Sequence, residues 1–187
     1  MLVGSWENTF ERDVSDRETL EATVLAYAEN VARRLRRGEV EAGTVVLKWR
    51  SAQRRSSGPR GYLLHTRRVT LPEPTDDGQV IYREAPALLH PTGPSEPVRL
   101  IGVGVTNLSS PSRGQLPLFG PPPDKQLRRR LNNALDEIAD RFGTRAVLRG
   151  SQRDAERAGL SLQIKRGERE VDEDSASGIQ RPRRLHP

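Results

Sequence analysis

The chain of 187 residues contains no cysteine. That excludes disulfides, thiolate metal sites and a cysteine nucleophile. Aromatic residues make up only 4% of it, so little is available for stacking nucleobases. No stretch approaches the roughly 18 apolar residues of a membrane-spanning helix, and Met1–Ser5 lacks the basic and apolar pattern of a secretory leader. No Gly-x-x-x-x-Gly-Lys phosphate loop is present. His65, His90 and His186 have no metal-ligand spacing. Asp76 and Asp77 sit side by side at a helix start, where capping accounts for them. The expectation is a cytoplasmic protein with no membrane partner, no metal and no cofactor in this chain.

What the chain has is charge. Charged residues make up 30% and the net charge is +6, against 34% hydrophobic residues. The apolar residues must be concentrated for a core to form, and the basic excess points to a polyanionic partner. Residues 1–108 hold most of the patterned apolar positions. Residues 109–124 are rich in Ser, Pro and Gly and read as a linker, 125–149 as an amphipathic helix with a short extension, and 150–187 as a polar, disordered tail.

Within the first region, Glu7–Arg12 reads as a short strand. Asp16 offers an N-cap, and Leu20, Val24, Tyr27, Ala28, Val31 and Leu35 recur at helical spacing up to a stop at Gly38. Arg33, Arg34, Arg36 and Arg37 close that helix, where they complement its dipole; phosphate contact is the second reading. Thr44–Arg50 is a strand in which Val45, Leu47 and Trp49 share one face. A basic loop with Arg54, Arg55 and Arg60 leads to a strand over Leu63–Leu71, which Pro72 and Pro74 are expected to end. A helix with Val80, Ile81, Ala85, Leu88 and Leu89 follows, and Pro86 predicts a kink or an early stop in it. Arg99–Asn107 is the last strand.

The order β-α-β-β-α-β predicts an α+β split βαβ fold, a four-stranded antiparallel sheet with both helices on one face. By alternation the other face receives Thr44, Lys48, Arg50, Thr66, Arg68, Thr70, Leu100, Gly102, Gly104 and Thr106. A face of small, hydroxyl and basic residues beside an arginine-rich loop suits phosphate contacts, and glycines there let another backbone approach closely. An ordinary solvated sheet face is the alternative. Beyond the linker, Leu127, Leu131, Ala134, Leu135, Ile138 and Phe142 form a helical stripe expected to dock on the domain or on a partner.

Inside the linker stands Gln115-Leu116-Pro117-Leu118-Phe119. Leu118 and Phe119 are large apolar side chains in a segment that cannot build a core of its own. The pattern resembles the peptide by which bacterial replication and repair proteins hold the β sliding clamp. In that reading Leu118 and Phe119 fill an apolar pocket, Gln115 hydrogen-bonds at its rim, and Leu116 counts among the clamp-binding residues. The other reading folds the segment back onto the chain as a short edge strand.

An ordered set of runs carries a wider resemblance: Glu7-Asn8-Thr9-Phe10-Glu11-Arg12-Asp13, Arg17-Glu18-Thr19-Leu20, Thr44-Val45-Val46-Leu47-Lys48, Thr70-Leu71-Pro72-Glu73-Pro74-Thr75-Asp76-Asp77 and Val98-Arg99-Leu100-Ile101-Gly102-Val103-Gly104-Val105-Thr106-Asn107-Leu108. In order and spacing they are similar to the C-terminal little-finger domain of Y-family translesion DNA polymerases, the DNA polymerase IV group. The resemblance implies a sheet laid across the major groove of primer–template DNA without base readout. It implies contacts from Lys48, Arg67 and Arg68 and the backbone near Gly102 and Gly104, with a clamp peptide at Gln115–Phe119. Two departures, Val69 in place of an arginine and Gly104 in place of another, are expected to remove charge from that face, and the basic loop to restore some of it. The family's magnesium-binding carboxylates belong to a palm domain with no counterpart here, so the chain alone is expected to be inactive. A separate polymerase catalytic chain stands among the possible partners, and the location would be the nucleoid. The competing functions are a clamp adaptor or competitor that no longer binds DNA, and an RNA-binding module, which the lack of exposed strand aromatics opposes.

Overall fold

The structure is a computed structural model, and it describes residues 5–54, 61–89, 96–111, 123–144 and 146–147. Seven elements follow one another: β1 (Ser5–Val14), α1 (Arg17–Arg37), β2 (Glu41–Arg54), β3 (Tyr62–Thr75), α2 (Gly78–Leu89), β4 (Val98–Ser109) and α3 (Pro123–Phe142). The first six have the order the sequence predicts.

The start of α1 is fixed chemically. The Asp16 carboxylate accepts bonds from the Thr19 amide at 2.8 Å and the Thr19 hydroxyl at 2.6 Å. These bonds satisfy an orphan donor of the first turn and hold the Asp16 carboxyl below its usual range. At the other end the Gly38 amide donates to the Arg34 carbonyl at 3.0 Å, and the Val40 amide to the Leu35 carbonyl. In α2, the Asp77 carboxylate caps the Gln79 amide at 2.8 Å. The helix runs through Pro86 to Leu89, so the early stop is not observed.

The strands form one antiparallel sheet in the order β1-β4-β2-β3. β1 and β2 are parallel to each other and separated by β4. β3 and β4 are likewise parallel and separated by β2. The fold is therefore two interleaved βαβ units, each split by a strand of the other. α1 and α2 pack together on one face. Val24, Tyr27, Val31 and Leu35 of α1 and Ile81 of α2 meet Val45, Leu47, Ile101, Val103 and Val105 of the sheet, all nearly fully buried.

β3 outlasts its expected end at Leu71 and continues through Pro72 and Pro74 to Thr75. The register explains how. Thr44 pairs with Thr70, but Ala42 pairs with Thr75, so extra residues of β3 bulge out between them. β3 is also an edge strand. Both prolines lie in the bulge, where the ladder asks no amide of them.

Candidate nucleic-acid interface

The sheet face turned away from α1 and α2 is ruled into cross-strand rows by the registers of β3, β2, β4 and β1. One row is Leu64, Arg50, Leu100 and Thr9. The next is Thr66, Lys48, Gly102 and Glu7, then Arg68, Val46, Gly104 and Ser5, then Thr70, Thr44 and Thr106. Hydroxyls, glycines and three cations thus share one face with Leu64, Val46, Leu100 and the carboxylate of Glu7. Arg68 is exposed and has no ion-pair partner among the described residues. Arg50 is half-buried, and its Nε has no hydrogen-bond partner among them.

Lys48 is already engaged. Its Nζ lies 2.9 Å from Glu7 Oε2, two strands away. Gly102 lies between them in the row, and its lack of a side chain makes the reach possible. A Cβ there would stand 2.6 Å from Glu7 Cβ and 3.1 Å from Glu7 Cα. The close approach that Gly102 permits is thus made by the protein's own first strand.

Arg67 lies on the opposite side of β3. Its guanidinium sits over the Trp49 ring at 5.4 Å, and Nη1 donates to the Leu88 carbonyl at 3.1 Å. The His65 ring stacks on Trp49 with centroids 4.9 Å apart. Arg67 therefore shares the helix side with Trp49, apart from Lys48, Arg50 and Arg68. Val69 also faces that side and packs against the core. An arginine missing at position 69 costs the open face no charge, contrary to the expectation from sequence.

Arg54 is exposed at the end of β2, opposite Tyr62. Arg55 and Arg60 of the same loop lie outside the described residues, as do Gln115, Leu116, Leu118 and Phe119. Among the described residues, no group of three or more His, Asp or Glu is placed to hold a metal ion. No described helix is long and apolar enough to cross a membrane.

A second charged constellation lies at the end of α1, and sequence reasoning saw only half of it. Arg36 grips Asp136 of α3 with two bonds, Nε to Oδ2 at 2.6 Å and Nη2 to Oδ1 at 2.8 Å, and Arg36 Nη1 donates to the Asp76 carbonyl. Burial opposes the charge on Arg36, but Asp136 outweighs it and raises its pKa. Arg33 and Arg37 both donate to Asp140 Oδ1, and these two arginines hold the Asp140 carboxyl below its usual range. The signal was available: Arg33, Arg36 and Arg37 share one helical face, and Asp136 and Asp140 share another four residues apart.

α3 consequently docks with its polar side. Asn132 is buried, while Leu127, Leu131 and Phe142 are 61%, 53% and 75% exposed. Of the apolar stripe expected to dock on the domain or on a partner, Leu135 and Ile138 are half-buried, and Leu127, Leu131, Ala134 and Phe142 are exposed.

The family model for the impB/mucB/samB family C-terminal domain matches residues 5–118. The chain belongs to that family. It carries the C-terminal, little-finger domain of the DNA polymerase IV group, as the ordered runs implied. A DNA polymerase IV of Desulfatibacillum aliphaticivorans is 40% identical over 143 residues, covering 75% of this chain and 34% of that protein. One from Methanoculleus marisnigri is 41% identical over 104 residues, covering 56% of this chain and 27% of that protein. The chain thus spans about a third of the length of such relatives. A solved structure described as a complex of beta-clamp processivity factor and the little finger domain of PolIV aligns with a TM-score of 0.45 and 19% identity. It covers 61% of this chain and 96% of that one.

Proposed function

We propose that this little-finger domain grips primer–template DNA through its open sheet face and tethers a DNA polymerase IV-type translesion polymerase to the β sliding clamp through Gln115–Phe119. The family membership carries the reading, because the match spans the whole sheet and ends at Leu118, inside the clamp-like peptide. The open face supports it with Arg68, Arg50 and Lys48 beside the exposed Thr66 and Thr70, which offer phosphates charge and hydroxyl donors. Each phosphate neutralised releases condensed counterions, so affinity comes without sequence preference and falls steeply with salt. The clamp peptide adds local concentration: a duplex held at the clamp meets the sheet face intramolecularly. Polymerisation itself requires catalytic carboxylates supplied from outside this domain, and the chain alone is inactive. A cytoplasmic, nucleoid-associated location goes with this partner set.

The test is a titration of the chain with primer–template DNA at two salt concentrations, with and without β clamp. Arg50→Ala/Arg68→Ala is expected to weaken DNA binding and flatten its salt dependence by about one unit of slope per lost phosphate contact. Leu118→Ala/Phe119→Ala is expected to abolish clamp binding alone. Clamp binding without DNA binding would leave the adaptor reading, which the neutralisation of Lys48 by Glu7 favours. A wild-type chain that ignores the clamp would refute the tether.

A further inference from the structure

We propose that Arg33, Arg36 and Arg37 at the end of α1 form a second phosphate-binding site for DNA, and that α3 closes it with Asp136 and Asp140 standing where phosphates would stand. The partner is the one in the functional reading above, but the surface is different. The site lies at the end of α1, on the helix side of the sheet rather than on the open face.

Three observations carry this. The first is geometric. Arg36 holds Asp136 in the two-bond fork that guanidinium also makes with phosphate, and two arginines converge on a single Asp140 oxygen, as they would on one phosphate oxygen. The second is an unmet donor. Arg33 Nε stays buried without a hydrogen-bond partner among the described residues, 3.9 Å from Asp136 Oδ1. A phosphate oxygen brought closer would satisfy it. The third is the character of the closure. α3 is held by Arg33, Arg36 and Arg37 at its acidic half, and by Arg128 toward Asp77 and Lys125 toward Glu73 at its basic half. Leu127, Leu131 and Phe142 point outward, and only Leu135 and Ile138 of its large apolar residues are half-buried. A contact made of ion pairs is one that a polyanion can compete away.

Availability differs within the trio. Arg36 also bonds the Asp76 carbonyl and feels the Asp76 and Glu29 carboxylates. The gain therefore falls mainly to Arg33 and Arg37.

The experiment is DNA binding by the full 187-residue chain across salt concentrations. Asp136→Asn/Asp140→Asn removes the competing carboxylates. Asp124→Asn/Glu137→Gln removes the same charge from exposed positions of α3 and serves as the control. The first variant is expected to bind on the order of tenfold tighter than the control, with a salt slope steeper by about two units for two added phosphates. Adding Arg33→Ala/Arg37→Ala to it should cancel the gain, and amide exchange over residues 123–142 should speed up when the carboxylates are removed. Equal affinity for the two charge-neutralised variants overturns the inference, as does a gain that survives loss of Arg33 and Arg37. The two readings fail separately. Weak wild-type binding with a strong gain in the first variant would refute the sheet face and support the α1 site.

Discussion

Tyr27 stands in the middle of the core, 1% exposed, and its hydroxyl has no hydrogen-bond partner among the described residues. Burial pushes the phenol's pKa upward, because the charged form has nothing to stabilise it there. A buried hydroxyl without a partner costs on the order of 1–3 kcal/mol relative to hydration. Tyr27→Phe keeps the ring and its packing, and is expected to stabilise the domain by about 1 kcal/mol. Urea unfolding checks it: the midpoint should rise with an unchanged slope, and a fall would mean the hydroxyl is bonded after all. At Glu7 the prediction concerns binding. Glu7→Gln frees Lys48 from its 2.9 Å ion pair and removes the anion from the face. DNA affinity should rise severalfold and its salt dependence steepen by about one unit. An unchanged titration would remove Lys48 from the contact surface.

At the scale of elements, α3 is the one whose behaviour the sequence hid. Its stripe from Leu127 to Phe142 has the period of a docking face, and a pattern of hydrophobicity cannot weigh that face against five arginine–carboxylate contacts made from elsewhere in the chain. α1 and β4 were legible because their apolar residues follow one period and end at recognisable signals, Asp16 and Gly38 for the helix. β3 was misjudged at its end, since proline stops a strand only where an amide is needed, and that depends on a partner strand the sequence does not name. Of the open face, alternation placed Lys48, Arg50 and Arg68 correctly. The pairing of Lys48 with Glu7 depended on a register between β1 and β4, which are separated by most of the domain. The α3 contact also has a pH signature. The bonds from Arg37 and Arg33 depress the Asp140 carboxyl below its ordinary range. The folded value lies below the unfolded one, so this stabilisation is complete above the ordinary carboxylate pKa and is lost as pH falls through the depressed value. α3 is expected to detach at acid pH, and at neutral pH in high salt. Backbone NMR shifts of residues 123–142 followed through both titrations check this, and shifts that stay fixed to below pH 2 would contradict it.

For the whole molecule, the sheet divides labour between its two sides. One carries the core beneath α1 and α2, with Arg67 and His65 flanking Trp49. The other mixes threonines and glycines with Leu64, Val46, Leu100 and Glu7, and there Lys48, Arg50 and Arg68 lie together. For the proposed grip on a polyanion without base readout, this division makes Arg68 a better probe than Arg67. Because the Arg67 guanidinium covers Trp49 and bonds the Leu88 carbonyl, Arg67→Ala is expected to lower stability by roughly 1 kcal/mol. Once folded, it should leave the salt slope of DNA binding unchanged. A flattened slope would place Arg67 among the contacts.

The position of β4 has one more consequence. Among the described residues, β1 has no hydrogen-bonded neighbour in the sheet except β4, and β4 is the last strand, inserted between β1 and β2. During synthesis β1 must therefore wait for β4 until some ninety further residues have left the ribosome. Folding closes like a drawer pushed in last, with many long-range pairings formed in one late event, and nascent chains released before Val98 would expose two strand edges at once.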